Sequence, residues 1–204
     1  MYSWIISNTR FWVLSCIAGG LTFIISATIF YYTIRIYRVR GASMQPTATS
    51  GDWVIAETRR DYLSPLVDDW QSKNGLERGD LVIIDPSSAD RPAFLKRLVA
   101  GPRDTIAMRD GTLYVNKTQQ REPYVQESRE DLKGEPPPGN WHLAHHTDSV
   151  FVQEYQPTGA NWGPIKVPPK QWFTLGDNRD DSEDSRRYGF IGVGEIEAYV
   201  VYIL

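Results

Sequence analysis

Ser43 lies in Gly41-Ala42-Ser43-Met44-Gln45-Pro46-Thr47, between a small residue and a methionine, with Pro46 fixing the chain just beyond it. Such a serine can be held at the edge of a strand. Its hydroxyl is a poor nucleophile until a base takes its proton, and the same seven residues also fit an ordinary turn. A second candidate is Lys96, in Phe94-Leu95-Lys96-Arg97-Leu98-Val99-Ala100. Strand alternation groups Leu95, Arg97 and Val99 on one face and Phe94, Lys96, Leu98 and Ala100 on the other, so Lys96 shares its face with apolar residues only. Its stem could lie along that surface while the ammonium reaches water. Alternatively the charged form is desolvated, its pKa falls, and the neutral amine becomes available as a base. The residues by themselves leave both alternatives open, for the serine and for the lysine.

The other polar clusters offer less chemistry. Gly176-Asp177-Asn178-Arg179-Asp180-Asp181-Ser182-Glu183-Asp184-Ser185-Arg186-Arg187-Tyr188-Gly189 reads as a loop held by its own hydrogen bonds and by acid/arginine pairs. An EF-hand calcium loop would need a glycine at its sixth position and a closing glutamate, and both are missing. His142, His145 and His146 stand in a turn-rich stretch with no matching Cys or acidic ligand pattern, which favours a solvated loop over a metal site. Cys16 is the only cysteine, so neither an intrachain disulfide nor a Cys-based zinc site can form.

The elements that must position these residues begin with an anchor. Residues 11–34 carry no charge, and at about 1.5 Å per residue they reach across a hydrocarbon core of roughly 30 Å. Phe11 and Trp12 at one end and Phe30, Tyr31 and Tyr32 at the other suit the two water interfaces. A cleavable leader would have an apolar core of only about 7–15 residues. Arg35, Arg38 and Arg40 follow the span while only Arg10 and the terminal amine precede it, and by the positive-inside tendency this would put the C-terminal part in the cytoplasm. The rest of the 204-residue chain is enough for one domain or two small ones. With 22 basic and 25 acidic residues and a net charge of -3, no basic face for nucleic acid is expected.

Short strands dominate that remainder. They are expected at Trp53-Val54-Ile55-Ala56, at Leu81-Val82-Ile83-Ile84 before Asp85-Pro86, and at Phe94 to Ala100 before Gly101-Pro102. Thr105 to Asn116 reads as a hairpin about Asp110-Gly111. Further strands are expected at Ser149 to Gln153, Ile165 to Val167, Gln171 to Leu175 and Glu197 to Leu204. Tyr62 to Asn74 has no clean period and reads as a loop with about one helical turn. No helix is expected outside the membrane.

Four motifs then occur in order: Ser43-Met44-x-Pro46-Thr47; Gly79-Asp80-Leu-Val; Lys96-Arg97-Leu-Val-Ala-Gly101; and Gly176-Asp177-Asn178-Arg179-x-x-Ser182-x-Asp184-Ser185-Arg186. Together they resemble the type I signal peptidases of the bacterial kind. Leu113-Tyr114-Val115-Asn116, Glu122-Pro123-Tyr124, and Trp162-Gly163-Pro164 before Val167-Pro168 are similar to that family as well. The resemblance implies that Ser43 is the nucleophile and Lys96 the general base of a Ser-Lys pair. It implies that Ser182 orients the lysine amine by a hydrogen bond, that Asp184 and Arg186 support the site as an ion pair, and that no metal or cofactor is needed. Gly41, Ala42 and Met44 would border the substrate and the oxyanion, which the Ser43 N–H would hold. Some members carry a serine as a second donor where this chain has Gly41.

The resemblance further implies a mainly β fold: an antiparallel catalytic β-domain (41–104 and 169–204), a smaller inserted β-rich subdomain (105–168), and one membrane helix (11–34) after a short N-terminal segment (1–10). The expected substrates are exported precursor proteins, bound as an extended strand with small side chains at the first and third positions before the cut. The expected place is a plasma or thylakoid membrane, crossed once, with the catalytic domain on the outer side. That conflicts with the charge count around the span, unless the arginines bind anionic lipid heads there. The rival readings are a specialised processing peptidase of conjugation or an organelle inner membrane, a self-cleaving Ser-Lys repressor, and an inactive membrane-tethered binding protein. No DNA-binding helical region precedes Ser43, against the repressor, and the intact Ser43, Lys96 and Ser182 speak against the binding protein.

Overall fold

The computed structural model describes residues 2–58, 75–86, 92–125, 145–147 and 157–204. The readings at Tyr62 to Asn74, at Ser149 to Gln153 and at His142 lie outside these residues. A single helix, α1 (Tyr2–Thr33), opens the chain. It starts before the uncharged stretch and contains an apolar segment, Thr9–Thr28, of mean hydropathy 1.8 and sufficient length to cross a membrane. Thr58 Oγ1 donates to Thr33 O at 3.2 Å where the helix ends. The chain passes at once into β1 (Ile34–Arg38), so Arg35 and Arg38 belong to a paired strand. That strand was not foreseen from the sequence, where these residues read as a basic flank.

The described strands form two antiparallel sheets. The larger has the order β1, β2 (Trp53–Thr58), β11 (Ile196–Ile203), β3 (Leu81–Ile84), β4 (Phe94–Ala100), β9 (Gln171–Leu175) and β10 (Ile191–Gly192). The smaller has the order β7 (Thr118–Gln119), β6 (Thr112–Val115), β5 (Thr105–Arg109) and β8 (Trp162–Lys166). The hairpin read at Asp110-Gly111 joins β5 to β6, with both turn residues at positive φ. A short helix, α2 (Ser185–Tyr188), was missed; the Asp184 side chain caps it by accepting from the Arg186 N–H.

One core cluster bridges the two sheets, packing Ile106, Leu113, Trp162 and Ile165 of the small sheet against Val99, Phe173 and Leu175 of the large one. Phe173 and Leu175 are fully buried, and each such side chain contributes about 1.5–3 kcal/mol relative to an exposed one. A second cluster gathers Val82, Ile84, Leu98, Trp172 and Ile196. β4 is central, with β3 on one side and β9 on the other, and everything from Lys96 to Ala100 along it is buried. It is this position that takes two cationic side chains, Lys96 and Arg97, out of water.

Candidate active site

Three segments converge beside the middle of β4. The first is the turn after β1 that carries Ser43, the second is β4 itself, and the third is the loop that leaves β9 at Gly176. Arg97 pairs with Leu175 in the sheet, so the loop beginning one residue later necessarily emerges next to Lys96. The loop also fastens the serine turn: the Asn178 N–H donates to Ser43 O at 3.1 Å, and Asn178 Nδ2 donates to Ala42 O at 3.2 Å. Within the turn, the Gln45 N–H donates to Ala42 O at 3.0 Å and Met44 is buried. Gly41 has φ of 87°, a conformation that strains any residue with a Cβ. A serine hydroxyl two residues before Ser43 is thus disfavoured by the backbone.

Lys96 Nζ and Ser43 Oγ lie 2.7 Å apart, although 53 positions separate them in sequence. Lys96 is 3% exposed. Burial pushes its pKa below the ordinary lysine value and outweighs the Asp184 carboxylate, which pulls the other way. As an ammonium, Lys96 donates to the serine oxygen; as a neutral amine, it can accept the serine's proton at the same distance. Phe94 lies on the same face, with Nζ 5.8 Å from its ring centre. Of the two alternatives open in the sequence, desolvation describes this lysine.

Ser182 reaches the site but makes no hydrogen bond to the lysine. Its Oγ is buried without a hydrogen-bond partner, near enough to Asp184 to favour the charged carboxylate without hydrogen-bond geometry. Asp184 and Arg186 form an ion pair at 2.9 Å, and Asp184 also accepts from the Gly176 N–H at 3.0 Å. Burial alone would raise the Asp184 pKa, but Arg186 and these hydrogen bonds outweigh it and hold the carboxyl below its ordinary value. Arg186 in turn donates to Arg179 O at 2.8 Å, closing the loop on itself.

Sequence reasoning passed over a second buried ion pair. Arg97, 8% exposed, donates through Nε and Nη2 to the fully buried Asp177 at 2.8 and 2.6 Å. Nη1 donates to Gly79 O at 2.6 Å, and the Thr47 hydroxyl donates to the same Asp177 carboxylate. The Ser43 turn, the Gly79-Asp80 turn, β4 and the Gly176 loop are thereby tied at one point. The signal was present in the alternation, which set Arg97 between Leu95 and Val99 as plainly as it set Lys96 between Phe94 and Leu98. Among the described residues no cluster of His, Cys, Asp or Glu could hold a metal ion.

A serine hydroxyl against a desolvated lysine amine, in a mainly antiparallel β body, defines a candidate serine hydrolase of the Ser-Lys kind. The family model described as signal peptidase, peptidase S26, matches residues 10–204, and the chain belongs to that family. It is 32% identical over 181 residues to the signal peptidase I of Bacillus licheniformis, covering 89% of this chain and 77% of that one. It is 26% identical over 194 residues to the signal peptidase IB of Staphylococcus aureus strain N315, covering 94% and 86%. A solved signal peptidase I from Enterococcus faecalis V583 is 26% identical and superposes with a TM-score of 0.43, covering 62% of this chain and 97% of that one.

Proposed function

We propose that this chain is a membrane-anchored serine endopeptidase that removes N-terminal signal peptides from exported precursors, cutting after small-x-small sequences. The observation that carries the reading is the 2.7 Å approach of Lys96 Nζ to Ser43 Oγ with the lysine buried. The neutral Lys96 takes the Ser43 proton as the oxygen attacks the scissile carbonyl, giving a tetrahedral intermediate. The Ser43 N–H holds the oxyanion, with Gly41, Ala42 and Met44 bordering that region. Collapse expels the new amino terminus, which takes its proton from the lysine. Water, deprotonated by the same amine, then releases the signal peptide from the acyl-enzyme. Asp184 and Arg186 keep the Gly176 loop in place, and Ser182 packs against Gly176 within it.

The division of labour follows the two sheets. Residues 41–104 and 169–204 supply the catalytic domain, and 105–168 form a β-rich insertion. The precursor adds to the site as an extended strand, so that main-chain hydrogen bonds align the cut and shallow pockets admit only small side chains. The body stands on the outer face of a plasma or thylakoid membrane, where translocated precursors emerge. Exposed Ile36, Trp53, Tyr202 and Leu204 on and beside the strands nearest the anchor, with Arg38 stacked over Trp53 at 5.7 Å, suit contact with the lipid interface.

The test is cleavage of a precursor with an Ala-x-Ala site by the detergent-solubilised chain, beside folded Ser43→Ala and Lys96→Ala variants. Cleavage after the second Ala, lost by at least about a thousandfold in both variants, is expected. Cutting that survives Lys96→Ala would sink the base, and no cutting by the unaltered chain would sink the peptidase reading. Protease digestion of intact cells checks the orientation: an outer body is degraded without lysis.

A further inference from the structure

Glu122 and Tyr124 follow β7 of the small sheet, yet both side chains end against arginines from the other sheet's side, Arg179 and Arg97. Glu122 receives a two-pronged contact from Arg179, Nη2 to Oε1 at 2.6 Å and Nη1 to Oε2 at 3.2 Å, with the two side chains 9% and 6% exposed. Arg179 Nε donates to Gly176 O at 3.0 Å, so the carboxylate of Glu122 orients the guanidinium that braces the Gly176 turn. Tyr124 donates its hydroxyl to Glu122 Oε1 at 3.2 Å, and the Arg97 guanidinium sits 3.8 Å from its ring centre. Arg97 is the residue after Lys96. One short segment therefore touches two elements of the site, β4 through Tyr124 on the face opposite Lys96 and the loop after β9 through Glu122.

These contacts join the two sheets in addition to the apolar cluster of Ile106, Trp162, Val99 and Phe173. They differ from that cluster in direction. A bidentate arginine contact and a cation over an aromatic face each fix where a guanidinium points, and burial strengthens both. We infer that Glu122 and Tyr124 are positioning residues of the peptidase site, acting through Arg179 and Arg97 to hold β4 and the Gly176 turn where the Lys96 amine meets the Ser43 hydroxyl. The inference rests on the Ser43–Lys96 reading.

The experiment measures kcat and KM for precursor cleavage by the full chain in detergent, with melting temperatures, for Tyr124→Leu, Tyr124→Phe, Glu122→Gln and Ser43→Ala. Displacing a reacting group by an ångström costs up to about a hundredfold. Tyr124→Leu is expected to lower kcat by about ten- to a hundredfold with KM nearly unchanged. Tyr124→Phe keeps the ring over Arg97 and recovers most of that loss. Glu122→Gln keeps the shape, loses the charge, and lowers kcat several-fold; it decides the matter if Tyr124→Leu does not fold. Unaltered kcat in both Tyr124→Leu and Glu122→Gln, whatever their melting temperatures, overturns the inference, as does an effect confined to KM or a Tyr124→Phe variant as slow as Tyr124→Leu. Loss of cleavage in Ser43→Ala alongside unaltered kcat in both Tyr124→Leu and Glu122→Gln rejects only the positioning role. Cleavage that survives Ser43→Ala rejects the Ser43–Lys96 reading and this inference with it.

Discussion

Gly176 stands so close to Ser182 that a Cβ at position 176 would fall 2.1 Å from Ser182 Oγ and 2.5 Å from Ser182 Cβ. The carbonyl oxygen of Ser43 would lie 2.5 Å from the same atom. The absence of a side chain at this one residue lets the Ser182 loop and the Ser43 turn pack onto each other beside Lys96. Gly176→Ala is expected to cost about 1–3 kcal/mol as overpacking. Cleavage should fall further than that figure implies, because backbone carrying Ser43 must give way. Thermal melting and precursor cleavage on the same preparation check it; a variant as active as the unaltered chain would show that the turn has slack.

The proposed role of Lys96 predicts the pH dependence of cleavage. In that mechanism the neutral amine is the working form, so cleavage is expected to rise with pH, with an acid limb below the ordinary lysine value because burial lowers the pKa. Stability follows the same sign. Between the folded pKa and the unfolded value the unfolded chain binds more protons, so stability climbs with pH across that window and levels off above about 10.5. Lys96→Met is expected to abolish cleavage and flatten this slope, as read by melting temperature against pH. A slope unchanged in the variant would assign it to another group.

Asp184 works in the opposite direction. Its folded pKa lies below the ordinary 3.8, so the stability it contributes is present above that value and is lost as pH falls through the folded pKa. Asp184→Asn leaves the largely covered Arg186 without its counter-charge, and breaking a buried pair costs up to about 3–5 kcal/mol. Denaturant unfolding near neutral pH should show that loss, and the variant's stability should vary less with acid than that of the unaltered chain.

The Arg97–Asp177 pair joins four segments at one point, so its two ends should not behave independently. Asp177→Ala and Arg97→Met are each expected to destabilise the chain by about 3–5 kcal/mol, because each strands a buried charge or its partners. The double variant should lose clearly less than the sum of the two. A double-variant cycle by denaturant unfolding measures the coupling; additive losses would mean that the two side chains contribute separately.

The elements legible in the sequence are those whose cause is local. The uncharged stretch over 11–34 announces a long apolar helix, a β-branched run announces Leu81–Ile84, an apolar, aromatic-rich one announces Gln171–Leu175, and Asp110-Gly111 announces its hairpin because few other dipeptides suit two positive φ angles. Elements that depend on a neighbour were not legible. Ile34–Arg38 carries two arginines and looks like the flank of a span, and it becomes a strand only because β2 offers it an edge. Ser185–Tyr188 is too short for any period and exists because Asp184 caps it.

The site divides in the same way. Residue types placed Ser43 and Lys96 among the candidates, and Ser182, Asp184 and Arg186 joined them only through the resemblance of their motif to the family. Which of them meet was decided by the sheet order. β4 beside β9 puts Lys96 next to the Gly176 loop, and burial on both faces of β4 removes water that would otherwise stabilise the charged form of the lysine. The same packing buries Arg97 with Asp177 and brings Glu122 and Tyr124 over from the other sheet. These are contacts across 80 and 57 positions, and no local pattern encodes a distance between residues that only the closed tertiary structure brings together.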